Sequence, residues 1–338
     1  MTNWNGIKLF RHSDRIKTFL EGGIPDPVSI ELHPTNRCNY DCIWCEPRIL
    51  NKFDKTLEMN EEDLSKIIRE LKEFNLKALL YSGGGEPLLN PATLPSMKLA
   101  NSLGISVGLF TNGALIDDAT AKDLVQICTF IRITFDAGNR EMHSQVHRCN
   151  SYDRVIDNCK TLVKYKKEFG SKVTLGGGYV ISPESYMGAK DAIDLFDEFG
   201  FDYIQFRPAR YEKLAVGDYI LQEVRELVES ESKNRRISVL FVPHFGTNYY
   251  GAEKRSYNKC YIYNFQGIII PDGNLYTCYG CVHKNCYPLG NVKKEGFKNV
   301  WMNKKLDLDP IKDCTECRFH HHNELLEQLK RIGHEDFL

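Results

Sequence analysis

The sequence predicts an α/β fold, a partial (β/α)6 barrel of the TIM type, followed by a small C-terminal α+β domain. Three observations lead to this prediction: six apolar runs alternate with amphipathic helical stretches from residue 28 to about 207, glycines stand where helices should end, and the character of the chain changes at residue 260. Alternation of this kind favours parallel strands covered by helices. Six repeats are too few for a closed eight-fold barrel, so we expect an open or partial one.

The strands are predicted from short runs rich in β-branched and aromatic residues. They are VSIEL (28–32), KALLYS (77–82), ISVGLF (105–110), FIRITF (130–135), KVTLGGGYVI (172–181) and YIQFR (203–207). Three consecutive glycines at 176–178 weaken the fifth run as a strand, and they therefore predict a bulge or the close approach of a ligand.

The helices between the strands are predicted from apolar residues at helical spacing. In one of them Asn60 is a plausible N-cap, and four residues form a single apolar face: Leu64, Ile67, Ile68 and Leu71. Helix ends are predicted at three glycines, each of which precedes a strand: Gly104, Gly170 and Gly200.

The patterns divide the chain into four segments. These are an N-terminal extension (1–27), the β/α core (28–210), a charged and partly helical connector (211–259) and a small domain of short strands and turns (260–338). Within the last segment, Asp272-Gly273 predicts the turn of a hairpin, and NELLEQLKRI predicts a short amphipathic helix.

Composition excludes several classes of partner. The chain has 338 residues with 44 Lys+Arg against 45 Asp+Glu, a formal net charge of −1. Nucleic acid and anionic membranes usually call for a basic excess, so we expect neither as a partner. The N-terminus lacks the apolar segment of a secretory signal, and no apolar run is long enough to span a bilayer. We therefore expect a soluble, cytoplasmic protein.

Twelve cysteines are the unusual feature of the composition. They fall well below the roughly 8–10% of residues that marks a disulfide scaffold. In a reducing compartment, clustered cysteines more often bind a metal or take part in chemistry than form disulfides. Their spacing is therefore the main guide to function.

Three cysteines follow the first predicted strand with C-x3-C-x2-C spacing: Cys38, Cys42 and Cys45. Three thiolates this close can bind one metal centre, and Zn²⁺ or an iron–sulfur cluster are the natural candidates. A structural zinc site takes four protein ligands, so a triple leaves one position open for another molecule. A zinc loop or three unrelated thiols is the alternative interpretation.

This spacing, with Trp44 at the aromatic position, resembles the C-x3-C-x-aromatic-C motif of the radical S-adenosylmethionine (SAM) superfamily. Further similar motifs follow the next three strands: Gly84-Gly85-Glu86, Thr111-Asn112-Gly113 and Asp136. All of them fall at the carboxyl ends of predicted strands, where β/α sheets and barrels gather ligands. The resemblance covers about residues 28–210.

The resemblance implies a specific chemistry. A [4Fe–4S] cluster, reduced by an external donor of flavodoxin or ferredoxin type, cleaves SAM to methionine and a 5′-deoxyadenosyl radical. That radical abstracts a hydrogen atom from an unactivated C–H bond, while the protein supplies ligation, positioning and exclusion of water.

The resemblance also implies which residues bind SAM. Glu86 pairs with the amino group of SAM, and the glycines before it allow close approach. Asp136 lies near the ribose. Arg207, after the sixth strand, is a candidate partner for a SAM or substrate carboxylate or phosphate, with a surface salt bridge as the alternative.

Six further cysteines lie in the C-terminal segment: Cys260, Cys278, Cys281, Cys286, Cys314 and Cys317. Two sets of four ligands are possible. The two C-x2-C pairs at 278–281 and 314–317 would form a zinc ribbon. Alternatively Cys260 replaces Cys281. That second set resembles the twitch domain of radical SAM enzymes, which binds one auxiliary [4Fe–4S] cluster.

The segment LGNVKKEGFKNVW (289–301) is similar to the linker of twitch and SPASM domains, but the later cysteines of a full SPASM pattern are missing. We therefore favour one auxiliary cluster, and so two [4Fe–4S] clusters in all. Cys281 and Cys286 are then left over, and either is a possible hydrogen-atom donor to a substrate radical.

With four protein ligands the auxiliary cluster has no open iron, so we expect it to accept an electron. The resemblance to twitch-bearing aminocyclitol dehydrogenases then favours oxidation of a small hydroxylated substrate of sugar or aminocyclitol type. The alternatives are a redox-neutral epimerase that uses Cys281 or Cys286, a maturase that acts on a peptide or protein, and a metal-binding scaffold without enzymatic activity.

The other residues near these motifs receive structural interpretations. Cys128 and Cys159 are predicted as buried helix residues, and Cys149 is left unassigned. The polar stretch after Asp136 is predicted to be a solvated loop; it contains Met142, His143, His147 and Arg148.

Overall fold

A computed structural model describes residues 6–50, 54–209, 212–233, 235–242, 255–283, 288–306, 308–309, 313–314 and 317–331. The described residues form ten strands: β1 (Ser29–Leu32), β2 (Ala78–Tyr81), β3 (Ser106–Thr111), β4 (Cys128–Thr134), β5 (Thr174–Ile181), β6 (Tyr203–Pro208), β7 (Ser238–Phe241), β8 (Gln266–Ile269), β9 (Asn274–Tyr276) and β10 (Gly290–Asn291).

The same ranges form thirteen α-helices: α1 (Ser13–Leu20), α2 (Glu46–Leu50), α3 (Glu61–Glu73), α4 (Thr93–Ser102), α5 (Asp118–Ile127), α6 (Arg140–His147), α7 (Tyr152–Glu168), α8 (Ala189–Phe199), α9 (Asp218–Glu231), α10 (Tyr279–His283), α11 (Val292–Glu295), α12 (Phe297–Asn303) and α13 (His320–Arg331). No helix within these ranges is long and apolar enough to cross a bilayer.

The ten strands belong to one sheet, in the order β10-β9-β8-β1-β2-β3-β4-β5-β6-β7. Strands β1 to β7 are parallel and follow the order of the chain, which confirms the predicted α/β fold with a parallel sheet. The C-terminal segment continues this sheet, because β8 pairs in parallel with the free edge of β1. Strands β9 and β10 then add antiparallel pairs.

The capping and turn predictions are confirmed. The Asn60 side chain accepts a hydrogen bond of 2.8 Å from the backbone N–H of Asp63 and so begins α3, whose predicted apolar face is buried. Gly104 and Gly200 have positive φ of 77° and 84°, as expected where a helix ends in the left-handed conformation. Gly273 has φ 90° in the β8–β9 turn.

Strand alternation separates an apolar face from a polar one. Ile131 and Ile133 of β4 are fully buried in the core beneath the helices. Arg132, between them, points to the other face, which we call the interior face. Its guanidinium carbon lies 3.4 Å from the centroid of the Phe110 ring of β3. Glu31 of β1 belongs to the same face, because it alternates with the buried Ile30 and Leu32.

The glycines of β5 make room for neighbouring side chains. A Cβ on Gly176 would lie 2.0 Å from the Tyr203 ring, and one on Gly177 would lie 2.6 Å from the Phe196 ring. The register of β5 with β4 and β6 is continuous across these residues, so the predicted bulge is wrong.

Two other parts of the chain differ from the sequence interpretation. Cys128 begins β4 instead of lying in a helix, whereas Cys159 is buried in α7 as predicted. The segment 211–259 contributes α9 and also β7, which pairs with β6 and extends the parallel sheet.

The C-terminal segment is anchored to the core by a buried tryptophan. The indole N–H of Trp301 in α12 donates a hydrogen bond of 2.9 Å to the carbonyl of Pro25. The Trp301 ring also stacks on Phe297, which in turn contacts Phe74 at the end of α3. These contacts hold the segment that follows β10 against α3.

The β5 packing gives a stability prediction. Gly176→Ala should lower the free energy of unfolding by about 1–3 kcal/mol, because the new methyl group overlaps the Tyr203 ring. Gly178→Ala is the matched control, since its Cβ would meet Arg132 at 3.6 Å, an ordinary contact distance. Denaturant unfolding measures both. Equal stability of the two variants would contradict this account of the glycines.

Candidate active site and metal centres

The first cysteine loop follows β1 and is held by backbone contacts to residues 54–59. The backbone N–H of Asn36 donates to the Leu57 carbonyl at 2.9 Å, and its side-chain amide donates to the Asp54 carbonyl at 3.0 Å. The Thr35 hydroxyl accepts a hydrogen bond of 3.0 Å from the N–H of Arg37. The loop conformation is therefore fixed immediately before Cys38.

The three thiols of this loop lie within electrostatic range of one another. Burial raises the pKa of Cys38 to about 12, and the neighbouring Glu86 and Cys45 act in the same direction. Burial also raises the pKa of Cys42 well above its usual value, with contributions from Asp136, Cys38 and Cys45. Thiolates crowded in this way need a positive charge among them, so the donor set fits a metal centre.

Cys42 is also bonded to a buried histidine. Its Sγ lies 3.0 Å from Nδ1 of His147, whose Nε2 lies 2.8 Å from the Phe135 carbonyl. Because a carbonyl only accepts, Nε2 carries the hydrogen and Nδ1 accepts from the Cys42 thiol. Burial lowers the pKa of His147 to about 3, so the ring is neutral. Trp44 packs edge-on to the same ring.

The stretch after Asp136 forms helix α6, so the prediction of a solvated loop is wrong. His143 and His147 are fully buried, with ring centroids 4.6 Å apart, whereas the flanking Arg148 is exposed. The i, i+4 spacing of the histidines and the N-cap Asn139, which accepts from the N–H of Met142, were the available sequence features. The Sγ atom of Cys149 lies 4.0 Å from Nδ1 of His143.

Glu86 brings together two of the sequence motifs. Its Oε1 accepts a hydrogen bond of 2.6 Å from the Thr111 hydroxyl, and its Oε2 accepts one of 2.8 Å from the N–H of Asn112. Oε1 also accepts from the N–H of Leu88 at 3.2 Å. Three of about four lone-pair positions on the carboxylate are thus used internally, which leaves one for a ligand.

The glycines before Glu86 pack against the cysteine loop. A Cβ on Gly85 would lie 2.0 Å from the Arg37 carbonyl oxygen, and the N–H of Glu86 donates to that same oxygen at 2.8 Å. Gly84 precedes this contact in the same turn. Asn112 also reaches the cysteine loop, through a hydrogen bond of 2.8 Å to Asn39. The motifs that follow β1, β2 and β3 therefore meet, as their strand-end positions predict.

Asp136 lies beyond β4 with one carboxylate oxygen unused. Its backbone is in the left-handed region at φ 54°, and its Oδ1 accepts a hydrogen bond of 2.6 Å from the N–H of Val180. Its Oδ2 is buried and has no hydrogen-bond partner among the described residues. Burial raises the pKa of Asp136 to about 7. An unsatisfied buried acceptor of this kind fits a ligand hydroxyl, such as that of a ribose.

The structure groups four of the C-terminal cysteines. Burial raises the pKa of Cys260 well above its usual value, and the charges of Cys278, Cys317 and Cys314 act in the same direction. Cys278, Cys314 and Cys317 are half-buried. This grouping favours the ligand set that contains Cys260.

Cys281 occupies a different position beside this group. It is buried, its Sγ accepts a hydrogen bond of 3.0 Å from the Thr277 hydroxyl, and a hydrogen bond from Cys281 lowers the pKa of Cys278 to about 6. Cys281 thus acts on the ligand Cys278 instead of completing the set. Cys286, the other remaining cysteine, lies outside the described residues.

The second cysteine group reaches the interior face of the sheet through Arg318. Nη2 of Arg318, the residue after Cys317, lies 3.2 Å from Oε2 of Glu31 on β1. The other oxygen of Glu31 is 3.0 Å from Nε2 of His33, and the His33 ring lies 6.1 Å from that of Tyr279. We call Glu31, His33 and Arg318 the β1 ion-pair network.

Charge fixes the protonation of this network. Burial alone would raise the pKa of Glu31, but the hydrogen bond from His33 and the charge of Arg318 lower it to about 2. Glu31 is therefore ionised, and Nε2 of His33 carries a hydrogen that it donates to the carboxylate. Nδ1 of His33 is buried and has no hydrogen-bond partner within the described ranges.

Two further arginines of the interior face lie near these groups. Arg207, the predicted candidate on β6, and Arg132 on β4 are half-buried, and the charge of each acts on Asp136. Sequence reasoning missed Arg132, Arg318, Glu31 and His33. Their spacing along the chain carries no motif, because strands far apart in the sequence bring them together.

Comparison with known proteins finds two family models that match separate parts of the chain. Residues 32–196 match the model of the radical SAM superfamily, and residues 260–320 match that of SPASM, an iron–sulfur cluster-binding domain. The chain is 22% identical over 318 residues to a tungsten-containing aldehyde ferredoxin oxidoreductase cofactor-modifying protein of Pyrococcus furiosus, covering 85% of this chain and 86% of that protein.

A second relative and a solved structure show a similar coverage of this chain. The radical SAM cyclopropyl synthase TigE of Paramaledivibacter caminithermalis is 25% identical over 305 residues, which are 82% of this chain and 62% of that protein. The fold is similar to that of Streptococcus suis SuiB bound to S-adenosylmethionine, with a TM-score of 0.69 and 15% identity over 89% of this chain and 72% of the other.

The choice of the fourth C-terminal ligand gives a prediction. Cys260→Ala should lower the iron content by about four atoms per chain, because it removes a ligand of one [4Fe–4S] cluster. Cys281→Ala is the matched control and should retain full iron content. Iron, sulfide and zinc analysis after anaerobic purification measures both. Loss of metal from the Cys281 variant alone would contradict the proposed ligand set and favour the two C-x2-C pairs.

Proposed function

This chain belongs to the radical SAM superfamily and carries a C-terminal iron–sulfur cluster-binding domain, and from this premise we propose that it oxidises a small hydroxylated substrate, of sugar or aminocyclitol type, by two electrons. The two domains imply that the enzyme binds SAM and two [4Fe–4S] clusters. When bound, these groups supply a 5′-deoxyadenosyl radical at the first cluster and an acceptor for one electron at the second.

We assign the cofactor-binding residues from the geometry around the two cysteine groups. Cys38, Cys42 and Cys45 hold the first cluster and leave one iron for SAM. The unused acceptor positions of Glu86 and Asp136 take the amino group and a ribose hydroxyl of SAM.

The residues around these acceptors have supporting roles in the proposed SAM site. Thr111 and Asn112 orient the Glu86 carboxylate. Gly84 and Gly85 let the backbone approach closely, and Trp44 covers the His147 side of the cysteine loop.

The observation that carries the oxidation is the placement of the second cysteine group. Cys260, Cys278, Cys314 and Cys317 would ligate every iron of a cluster, so that no position remains for the substrate. The contact between Arg318 and Glu31 sets this group against the interior face, and the charges of two arginines of that face, Arg132 and Arg207, act on Asp136 of the proposed SAM site. A closed cluster beside a substrate site is suited to electron transfer.

In the proposed reaction the carbinol carbon would lose one hydrogen atom to the radical that bound SAM supplies, and one electron to the cluster that Cys260, Cys278, Cys314 and Cys317 would hold. The hydroxyl proton passes to Nδ1 of His33, and a C=O bond forms. His33 suits this role because its Nε2 is held by ionised Glu31, which leaves Nδ1 as the basic atom.

The geometry around Cys281 disfavours a redox-neutral epimerase that would use this thiol. The Cys281 sulfur is buried, accepts a hydrogen bond from Thr277 and directs its own hydrogen toward Cys278. A thiol engaged on both sides is poorly placed to give a hydrogen atom to a substrate radical.

Single-turnover product analysis tests the proposed oxidation. Anaerobic enzyme with SAM and a panel of polyols, amino sugars and aminocyclitols should yield a carbonyl product two hydrogens lighter than its substrate, with one 5′-deoxyadenosine formed for each product. Mass spectrometry measures both. A product of unchanged mass that carries solvent deuterium would instead establish epimerisation, and turnover of peptides alone would establish a maturase.

The proton acceptor gives a separate prediction. His33→Ala should slow carbonyl formation by about 100-fold while iron content and SAM binding stay at wild-type values. Added imidazole should restore part of the rate, because the substitution leaves a cavity beside Glu31. Imidazole rescue separates a proton-transfer role from a structural one. An unchanged rate of carbonyl formation would show that His33 does not accept the proton.

A further inference from the structure

Three guanidinium groups converge on the interior face of the sheet. Arg132 comes from β4, Arg207 from β6, and Arg318 from the C-terminal segment. The charges of both Arg207 and Arg318 act on Arg132. Arg207 and Arg318, from separate parts of the chain, thus both lie within electrostatic range of Arg132.

Glycines of the neighbouring strand make room for the side chains on this face. Strand β5 lies between β4 and β6, and it has glycine at the two interior positions beside Arg132. The Tyr203 ring covers Gly176, and the Arg132 side chain runs past Gly178. Arg132 and Arg207 are only half-buried, and the Arg318 side chain is 29% exposed, so the guanidinium groups border accessible space.

Two carboxylates lie within electrostatic range of these guanidinium groups, Glu31 and Asp136. Glu31 is shared between Arg318 and His33, and Asp136 has a pKa raised by burial to about 7, so it is only partly ionised at neutral pH. Within the described part of the chain, Arg132 has no carboxylate at ion-pair distance; it stacks on Phe110 instead. Nε of Arg318 is buried without a hydrogen-bond partner there.

The Arg132 guanidinium is partly removed from water, which is unfavourable for its charge. Burial and the charge of Arg207 lower the pKa of Arg132 to about 10, so the group remains a cation at neutral pH. A desolvated cation is destabilising unless an anion or a set of acceptors compensates it. Stacking on a phenyl ring compensates only part of this cost. The arrangement is therefore suited to a ligand that brings its own negative charge.

We propose that Arg132 and Arg318, with Arg207 beside them, bind a carboxylate or phosphate group of the substrate. Guanidinium forks bind both groups through paired N–H···O bonds, which fix orientation as well as position. The inference rests on the proposed function and narrows its substrate to a hydroxylated acid or a phosphate ester. The anionic end lies beside Arg318, on the side of the second cysteine group, and the carbinol carbon points toward the SAM site.

Calorimetric titration of the holoenzyme with both clusters and bound SAM tests the anion site. Malonate and inorganic phosphate are the probes for the two kinds of anionic group, and malonamide is the neutral control for malonate. At low salt, one malonate or phosphate should bind per chain more tightly than malonamide. Arg132→Met should weaken that binding about 10- to 100-fold. Tighter binding of malonate than phosphate assigns a carboxylate substrate, and the reverse assigns a phosphate ester.

One control variant and a second test variant support the interpretation of these titrations. Arg140→Met removes an exposed arginine that pairs with Asp153 on the surface, and it should leave anion binding unchanged. Arg207→Met is the second test variant and should also weaken anion binding, so the proposal stays testable if Arg132→Met does not retain iron.

Three results would overturn the anion site. They are equal affinity of the wild type for malonate and malonamide, unchanged anion binding in both test variants, and loss of SAM binding instead of malonate binding in Arg132→Met. The last result would assign these arginines to the SAM carboxylate. A redox-neutral product from an enzyme that still binds malonate would reject the oxidation alone, so the two proposals fail separately.

Discussion

The ion pair between Arg318 and Glu31 is the contact on which this arrangement depends. Glu31 lies on β1, whose following loop carries the first cysteine group, and Arg318 directly follows Cys317 of the second group. The same strand also pairs with β8, the first strand of the C-terminal segment. One short strand therefore fixes both cysteine groups relative to the interior face of the sheet. Because Glu31 is ionised and buried, removing either partner would leave an uncompensated charge there.

The two cysteine groups differ in a way that matches their proposed chemistry. The first offers three thiols, which leave a coordination position for a small molecule. It lies near the remaining acceptor position of Glu86 and the unpaired Oδ2 of Asp136. The second offers four, and its neighbours are Arg318 and the hydrogen-bonded Cys281. One centre would keep a free coordination position and the other would be fully ligated by cysteines. Two such centres beside the interior face suit a reaction in which the substrate gives a hydrogen atom at the first and an electron to the second.

Much of the fold and of the first site could be predicted from the sequence, because the relevant features are local. Strand runs, the Asn60 cap and the glycine helix ends are set by residues close in the chain, and the motifs meet because parallel strands share one carboxyl edge. The histidines of α6 were missed because their burial depends on packing against the cysteine loop. The bulge predicted at the β5 glycines was wrong because Gly176 instead makes room for a tyrosine on the next strand. Arg318 could not be placed before the pairing of β8 with β1 was known.

The central claim is that this chain holds two [4Fe–4S] clusters on separate cysteine groups. Metal analysis of a variant in which Cys38, Cys42 and Cys45 are all replaced by Ala tests it most directly, beside the wild type and under anaerobic conditions. The account predicts about eight iron and eight sulfide per wild-type chain, and about four of each in the variant, with a cluster spectrum retained. Zinc in place of the remaining iron, or a variant without iron, would contradict it.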